Sequence, residues 1–288
     1  MHHANHFYGH ANVMAQYAGV DHREPPGIWG YLQHGWNILD GFAYNTAFVD
    51  GLPKFVWSDT VRRRGWSMGL RNHSVIGATW LYLPEVYPEL ASPAENAAGT
   101  IFYPFHGWEG QNVLGDHGRI VASINEHETG PVTVCLYWNE YENEAIRRVY
   151  SQAGFRVVTH GYRGLHWRKT DARFLLKQLR EVRRHTRVAS NRLSSAVLYG
   201  ASLGLQPGVY GDPMQLENEH PSFGGQARIQ RLWPELNQPY VPLDEAREFT
   251  DAELGVEHLA HPAEIREMFR WNTPGRPPAK ILDTKVAS

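Results

Sequence analysis

The sequence predicts an α/β protein of two domains, each a parallel sheet wrapped by helices, followed by a helical tail. Three observations predict it. Short apolar runs alternate with helix-like stretches from residue 27 to residue 210, which is βαβ material. Helix breakers and small residues (Pro84, Pro88, Ser92, Pro93, Ala97, Ala98, Gly99) interrupt that alternation and read as an interdomain linker. Beyond it, five strands alternate with helices, the pattern of a doubly wound sheet whose ligand crevice lies at the carboxyl ends of its strands. The expected units are residues 1–92, 93–234 and 235–288.

In chain order, residues 27–33 form an apolar run that ends in His34-Gly35, a buried strand. Residues 54–58 form a second strand. Ser58 then caps a helix that starts near Asp59, carries Arg62, Arg63 and Arg64, and stops at Gly69 and Asn72. Residues 75–78 make a third strand and lead into residues 80–83. In the second unit, the strand 100–105 ends at His106-Gly107, and a loop and helix run to about His127. The strand 132–137, the helix 143–153 closed by Gly154, and the strand 156–159 ending at His160-Gly161 follow. A helix at 171–184, a strand at 187–189, a helix at 194–203 closed by Gly204 and a strand at 208–210 complete the alternation. The stretch 235–271 is mostly helical, with Pro262 at the first position of a last helix. Residues 273–288 read as a loose tail.

Composition excludes several classes. With 42% apolar and 20% charged residues, the 288-residue chain has material for a core and is not globally disordered. A net charge of −2 argues against a general nucleic-acid binder. No run approaches the ~18 apolar residues that span a bilayer, and Met1-His2-His3-Ala4-Asn5-His6 lacks the basic and apolar regions of a signal peptide. The single cysteine, Cys135, excludes an intramolecular disulfide and a multi-cysteine zinc site. The expectation is a soluble, cytoplasmic protein.

Two excesses need a chemical reason. Sixteen His and ten Trp are present, and several stand beside glycine: His34-Gly35-Trp36, His106-Gly107-Trp108 and His160-Gly161. An apolar strand running into His-Gly presents a side chain at a strand end, where glycine lets backbone approach a ligand closely. The most specific segment is 187–213. There a strand runs through a polar loop into Ser194-Ser195, which open a helix of small residues. Unpaired helix N–H groups and two hydroxyls form an anion cradle, and Ala196, Gly200, Ala201 and Gly204 let that helix lie close to the sheet. Between Arg147 and Arg187 stand twelve Lys/Arg and two acids, a local net charge of +10 in a protein whose total is −2. Arg173, Lys177 and Arg180 have the spacing of a solvated helix face. The remainder suits an anionic ligand or partner.

Several landmarks now stand in a particular order: Gln33-His34-Gly35, Val56-Trp57-Ser58 and Val75-Ile76-Gly77-Ala78, then Tyr103-Pro104, Ser190-Asn191, Ser194-Ser195 and Tyr199-Gly200 before Gly204. Over roughly residues 28–215 this order resembles bacterial glycosyltransferases of the GT-B architecture, especially enzymes of cell-surface polysaccharide and teichoic-acid biosynthesis. The resemblance implies two Rossmann-like domains facing across a cleft. It also implies a nucleotide-sugar donor held by the second domain, and a glycan or lipid-linked acceptor near the first domain's His-Gly. For such a transfer His34, which ends a strand of the opposing domain, is the first candidate base, His106 the second, with Glu109 or Asp116 behind them. Donor binding falls to Ser190, Asn191, Arg192, Ser194, Ser195, Tyr199 and Gly107, with Arg192 and the two serines on the phosphate. Asn139, Glu140 and Glu142 suit ribose or sugar hydroxyls. The His-Pro pair that many relatives carry after the central strand of the second domain is absent; Leu136-Tyr137-Trp138-Asn139-Glu140 stands there.

The other readings are a non-catalytic nucleotide- or glycan-binding relative and a sugar-nucleotide epimerase on the same fold. No Asp-x-Asp triplet is present, so neither a metal nor another cofactor is expected. His2, His6 and His10 stand four apart, and His258 and His261 three apart, but neither set has the carboxylate of a His-Glu-x-x-His zinc motif. Gly-x-x-x-x-Gly-Lys-Ser/Thr and Gly-x-Gly-x-x-Gly are also missing, against a P-loop ATPase and a dinucleotide dehydrogenase. The basic stretch suits peripheral contact with the anionic inner face of a membrane.

Overall fold

Parallel pairing dominates both sheets, because nearly every strand is followed by a helix that carries the chain back across the sheet. The computed structural model describes residues 2–43, 46–165, 168–219 and 225–271; the expected tail at 273–288 lies outside them. A 3₁₀ segment, His3–Gly9, leads into helix α1 (His10–Ala18). Strands β1 (Tyr31–Leu32), β2 (Lys54–Val56) and β3 (His73–Val75) then make a three-stranded parallel sheet in that order.

Helix α2 (Asp59–Ser67) joins β2 to β3, and the expected Ser58 cap is present: its side chain accepts the Val61 N–H at 3.3 Å. The third strand sits two to three residues earlier than the apolar run 75–78 suggests. His73, Ser74 and Val75 pair with β2, and Gly77 (φ 73°) then turns the chain, so that the Ala78 N–H bonds the Leu254 carbonyl instead of the sheet. The expected linker also contains structure. Helix α3 (Tyr82–Val86) runs through Pro84, which is tolerated in a first turn because its missing N–H has no intrahelical partner there.

The second sheet starts at β4 (Thr100–Tyr103). After it come β5 (Val113–Leu114), α4 (His117–His127), β6 (Val132–Cys135), α5 (Trp138–Glu142) and α6 (Glu144–Gln152). Then follow β7 (Arg156–Val158), α7 (Phe174–Val182), β8 (Arg187–Ser190), α8 (Ser195–Ser202) and β9 (Gln206–Val209). A short strand β10 (Gln215–Leu216) pairs antiparallel with β5, and α9 (Gly225–Leu232), α10 (Leu243–Leu254) and α11 (Pro262–Met268) finish the described chain. Pro262 holds the first helical position of α11, as expected. The five-stranded sheet runs β7-β6-β4-β8-β9, all parallel. Chain order reverses between β4 and β8, and in doubly wound sheets ligands bind at that switch point, beyond the carboxyl ends of the strands.

The main apolar core is continuous through both sheets. Leu32, Phe55 and Trp57 of the first share it with Ile101, Val188 and Leu198 of the second, every one at most 1% exposed. A smaller core under α4 and α6 buries Phe102, Ile120, Ile124 and Tyr150 on the opposite face. Gly200 sets how closely α8 can lie on β8, since a Cβ there would stand 2.3 Å from the Val188 side chain.

Candidate functional site

At the switch point, side chains of β8 and the loop after it are spent on holding the strand ends together. The Ser190 hydroxyl donates to the Tyr103 carbonyl at 2.7 Å. Asn191 accepts the Phe105 N–H and donates to the Asp212 carbonyl, both at 2.6 Å. Arg192 is fully engaged: it bonds the Pro213 and Met214 carbonyls and both Glu219 oxygens (3.1 Å each), with its guanidinium 3.7 Å over the Phe105 ring. These residues shape the crevice from behind.

The start of α8 meets the first sheet directly. The Ser195 hydroxyl accepts the Trp36 N–H at 2.8 Å, and Gly35 packs on the same oxygen. The Ser194 hydroxyl is sealed from solvent without a hydrogen-bond partner among the described residues. The loop His34-Gly35-Trp36 therefore covers the expected anion cradle. Glu253 of α10 fixes that cover, since its buried carboxylate accepts the Trp36 indole N–H at 2.8 Å and pairs with Arg64 of α2. Tyr199, one turn into α8, is buried and stacks flat on Trp80 at 4.4 Å.

The remaining candidates converge beyond β4, β6 and β7. Arg163, after β7, pairs with Glu109 at 2.6 Å and bonds the Tyr137 hydroxyl at 3.1 Å; that hydroxyl also reaches Glu109 at 3.3 Å. The His106 ring stacks on Tyr137 at 4.5 Å, and Gly107 donates its N–H to the buried Glu140 at 2.9 Å. From the first sheet, His34 enters the same group through the 3₁₀ segment. Phe7 meets the His34 ring edge-on at 5.1 Å, Tyr8 stacks over it at 6.4 Å, and the Arg163 guanidinium lies 4.5 Å over Phe7. Tyr8 also donates its N–H to the Arg163 carbonyl at 2.9 Å.

His34, His106, Glu109 and Gly107 thus belong to one cluster, and Ser194 and Ser195 adjoin it through the 34–36 loop. Asp116 stands apart as the N-cap of α4, accepting the Gly118 N–H, and Asn139 and Glu142 face solvent. His6 and His10 do not share a helix face, because Phe7 (ψ 138°) and Tyr8 (φ 57°) break the helix between them. Among the described residues, no three His, Cys, Asp or Glu come together as a metal-ligand set.

Electrostatics separate the two imidazoles. Burial, with His10 and Arg163 adding to it, pushes His34 down to about 3, so its ring is neutral at physiological pH. Burial lowers His106 as well, but the Glu140 carboxylate pulls it back up, as do the Gly107 carbonyl and Glu109. For Glu109, burial opposes ionisation. Hydrogen bonds from Arg163, from the Glu109 backbone and from Tyr162, with the Arg163 charge, together outweigh it and hold the carboxyl below its ordinary range.

Arg163, Tyr8, Tyr137, Trp36 and Glu253 were not candidates from sequence. Arg163 carried one usable signal, its place directly after the strand end His160-Gly161. A further spacing resolves differently. Gly200-Ala201-Ser202-Leu203-Gly204 has the Gly-x-Ser-x-Gly form of a hydrolase nucleophile elbow, which belongs at a strand-to-helix turn. Here Ser202 ends α8, donates to the Tyr199 carbonyl and accepts the Trp80 indole N–H, so it is not a presented nucleophile. The basic stretch is also smaller than its count. Arg148, Arg156, Arg163, Lys177, Arg184 and Arg187 pair with acids, several from outside the stretch, which leaves Arg168, Lys169, Arg173 and Arg180 exposed.

No family model and no curated protein matches the chain. Solved structures that match include a variant of the wall teichoic acid polymerase TagF, with 10% identity over 75% of this chain and 53% of that one, at a TM-score of 0.33. A Listeria monocytogenes protein assigned as a UDP-N-acetylglucosamine 2-epimerase matches with 12% identity over 76% and 53%, also at 0.33. A glycosyltransferase from Rickettsia africae ESF-5 matches with 12% identity over 83% and 68%, again at 0.33. The chain spans about half the length of the first two.

Proposed function

We propose that the chain is a glycosyltransferase that moves a sugar from a nucleotide-activated donor to a glycan, lipid-linked or small-molecule acceptor. One observation carries the reading: His34 from one parallel sheet and His106, with the Glu109–Arg163 pair, from the other converge at the carboxyl ends of the strands. Transfer needs a base for the acceptor hydroxyl and stabilisation of the departing phosphate. A catalytic base works best with a pKa near the operating pH. Burial lowers both rings, but the Glu140 and Glu109 carboxylates oppose it at His106 while every neighbouring charge adds to it at His34, so His106 is the better placed of the two to take a proton. The neutral His34 ring then serves as a hydrogen-bonding partner of a sugar or phosphate oxygen. Ser194, Ser195 and the first N–H groups of α8 take the phosphate once the 34–36 loop shifts, and Ser190, Asn191, Arg192, Tyr199 and Gly107 support that pocket.

A second reading, a non-catalytic binding relative, is favoured by the cover that Trp36 places on Ser195. The two are separated by a thermal-shift panel of nucleotides and nucleotide sugars, followed by product analysis with whichever donor binds. A ligand specific to the folded state raises the melting temperature as its concentration exceeds its Kd. The transferase reading predicts one selective nucleotide, turnover with its sugar conjugate, and loss of turnover in His106→Ala. Near wild-type turnover in both His34→Ala and His106→Ala would overturn the site, and a selective shift without turnover would establish the binding relative. Among the described residues no helix is long and apolar enough to cross a membrane. The exposed Arg168, Lys169, Arg173 and Arg180 support cytoplasmic work at an anionic membrane face.

A further inference from the structure

Glu140 is the anomaly of the cluster. It lies at the third position of the short helix α5, its side chain is buried, and one carboxyl oxygen accepts the Gly107 N–H while the other is sealed from solvent without any partner among the described residues. A buried acceptor left unpaired is costly, and such atoms in native proteins call for an explanation. On the other side of the same residue, His106 Nδ1 stands 2.7 Å from the Gly107 carbonyl. A carbonyl only accepts, so Nδ1 carries the proton and Nε2 is the lone pair. Nε2 has no hydrogen-bond partner among the described residues and is not among the buried unpaired atoms. Gly107 joins the two side chains through its own N–H and C=O. No other residue fits there, since a Cβ would stand 2.2 Å from the Gln111 carbonyl oxygen.

We infer that Glu140 is a positioning residue: through Gly107 it fixes His106 in the Nδ1–H form with Nε2 open as a base, and its unpaired oxygen stabilises the imidazolium that forms. The inference rests on the glycosyl-transfer reading. In that step the acceptor hydroxyl gives its proton to His106 Nε2 as its oxygen bonds the anomeric carbon of the donor sugar. The bond from that carbon to the leaving phosphate oxygen breaks, and its electron pair leaves with the phosphate. Positive charge appears on a ring that burial disfavours as a cation. Glu140 is the foremost group offsetting this; Glu109 assists and Arg163 opposes.

The test uses the whole protein with ¹⁵N-labelled histidine and no ligand. Long-range ¹H–¹⁵N spectra report each ring's tautomer and titration, and His106 is assigned by the signals lost in His106→Gln. The expected result is the Nδ1–H tautomer in the wild-type protein, and in Glu140→Gln a His106 titration moved to lower pH by about one unit, as removal of a neighbouring opposite charge dictates. A wild-type Nε2–H tautomer overturns the inference whether or not the variant folds. An unmoved His106 titration in a folded Glu140→Gln does the same. Both readouts are taken without substrate, so they stand or fall separately from the transfer reaction. Where transfer is measured, Glu140→Gln lowers kcat with KM unchanged and shifts the acid limb of the pH profile, which loss of packing alone does not do.

Discussion

The backbone N–H of Trp36 donates to the hydroxyl of Ser195 at 2.8 Å, across 159 residues of sequence, and the loop on one sheet is thereby tied to the helix that opens beside the other. The neighbouring hydroxyl, Ser194, has no hydrogen-bond partner among the described residues. Ser195→Ala strands a part-buried N–H and is expected to cost about 1–3 kcal/mol, whereas Ser194→Ala stays within about 0.5 kcal/mol of wild type. Scanning calorimetry of both variants checks this. Equal losses would show that the Trp36 contact carries no weight.

Glu253 is expected to matter more than any surface ion pair. Its side chain is 3% exposed, pairs with Arg64, and holds the Trp36 indole. Removing one partner of a buried pair typically costs about 3–5 kcal/mol, because the other charge is left uncompensated. Glu253→Ala is therefore expected to lower the urea midpoint far more than Glu144→Ala, whose partner Arg148 is 65% exposed. Comparable effects would contradict the assignment.

Acid is expected to destabilise the fold through histidines held neutral. Burial lowers His10 and His160 to about 3 and His185 to about 4, from an ordinary value of 6.5. Below pH 6.5 the unfolded chain takes up protons that the folded chain refuses. The stability these residues contribute is thus whole above that pH and lost as pH falls towards 4. Each adds a slope of up to about 1.4 kcal/mol per pH unit, so the three reach roughly 4 kcal/mol per unit. Urea midpoints at pH 7.5 and 5.0 measure it. His10→Leu should flatten the slope by up to about 1.4 kcal/mol per pH unit.

For membrane contact, co-sedimentation with vesicles containing phosphatidylserine is expected to exceed that with neutral vesicles at low salt. It should fall when Arg168, Lys169, Arg173 and Arg180 are changed to Ser, at about 1 kcal/mol per charge near the surface. Equal binding to both vesicle types sinks the idea.

What the sequence made legible was local. The Ser58 cap, Gly154 and Gly204 beyond their helices, and Pro262 opening α11 each follow from chemistry within four residues. The alternation that implied a doubly wound sheet was legible for the same reason. The displacement of β3 was not, because Gly77 diverts Ala78 to Leu254, a partner far along the chain. In the site, His34, His106 and Glu109 stood out as residue types at strand ends. Their neighbours did not: Tyr8 reaches Arg163, and Trp36 reaches Ser195 and Glu253, only once both sheets are in place. Arg192 illustrates the reverse. It was credible as a phosphate ligand from its loop, yet its guanidinium faces Glu219, for which a sequence window carries no signal.

Helix α1 is bonded to residues almost at the far end of the described chain. The Tyr17 hydroxyl donates to the Ala260 carbonyl, and Arg266 of α11 donates to the Ala18 carbonyl, 243 and 248 residues away. During synthesis at about 5–20 residues per second, α1 must wait some tens of seconds before those residues exist. Throughout that interval Met14, Ala15 and Ala18, all wholly buried in the finished protein, have no complete surface to cover them. Completion is thus a late closure of a long loop rather than a growth from one end. Nascent protein is therefore expected to depend on chaperones up to that closure and to lose the dependence sharply once residue 269 has left the ribosome.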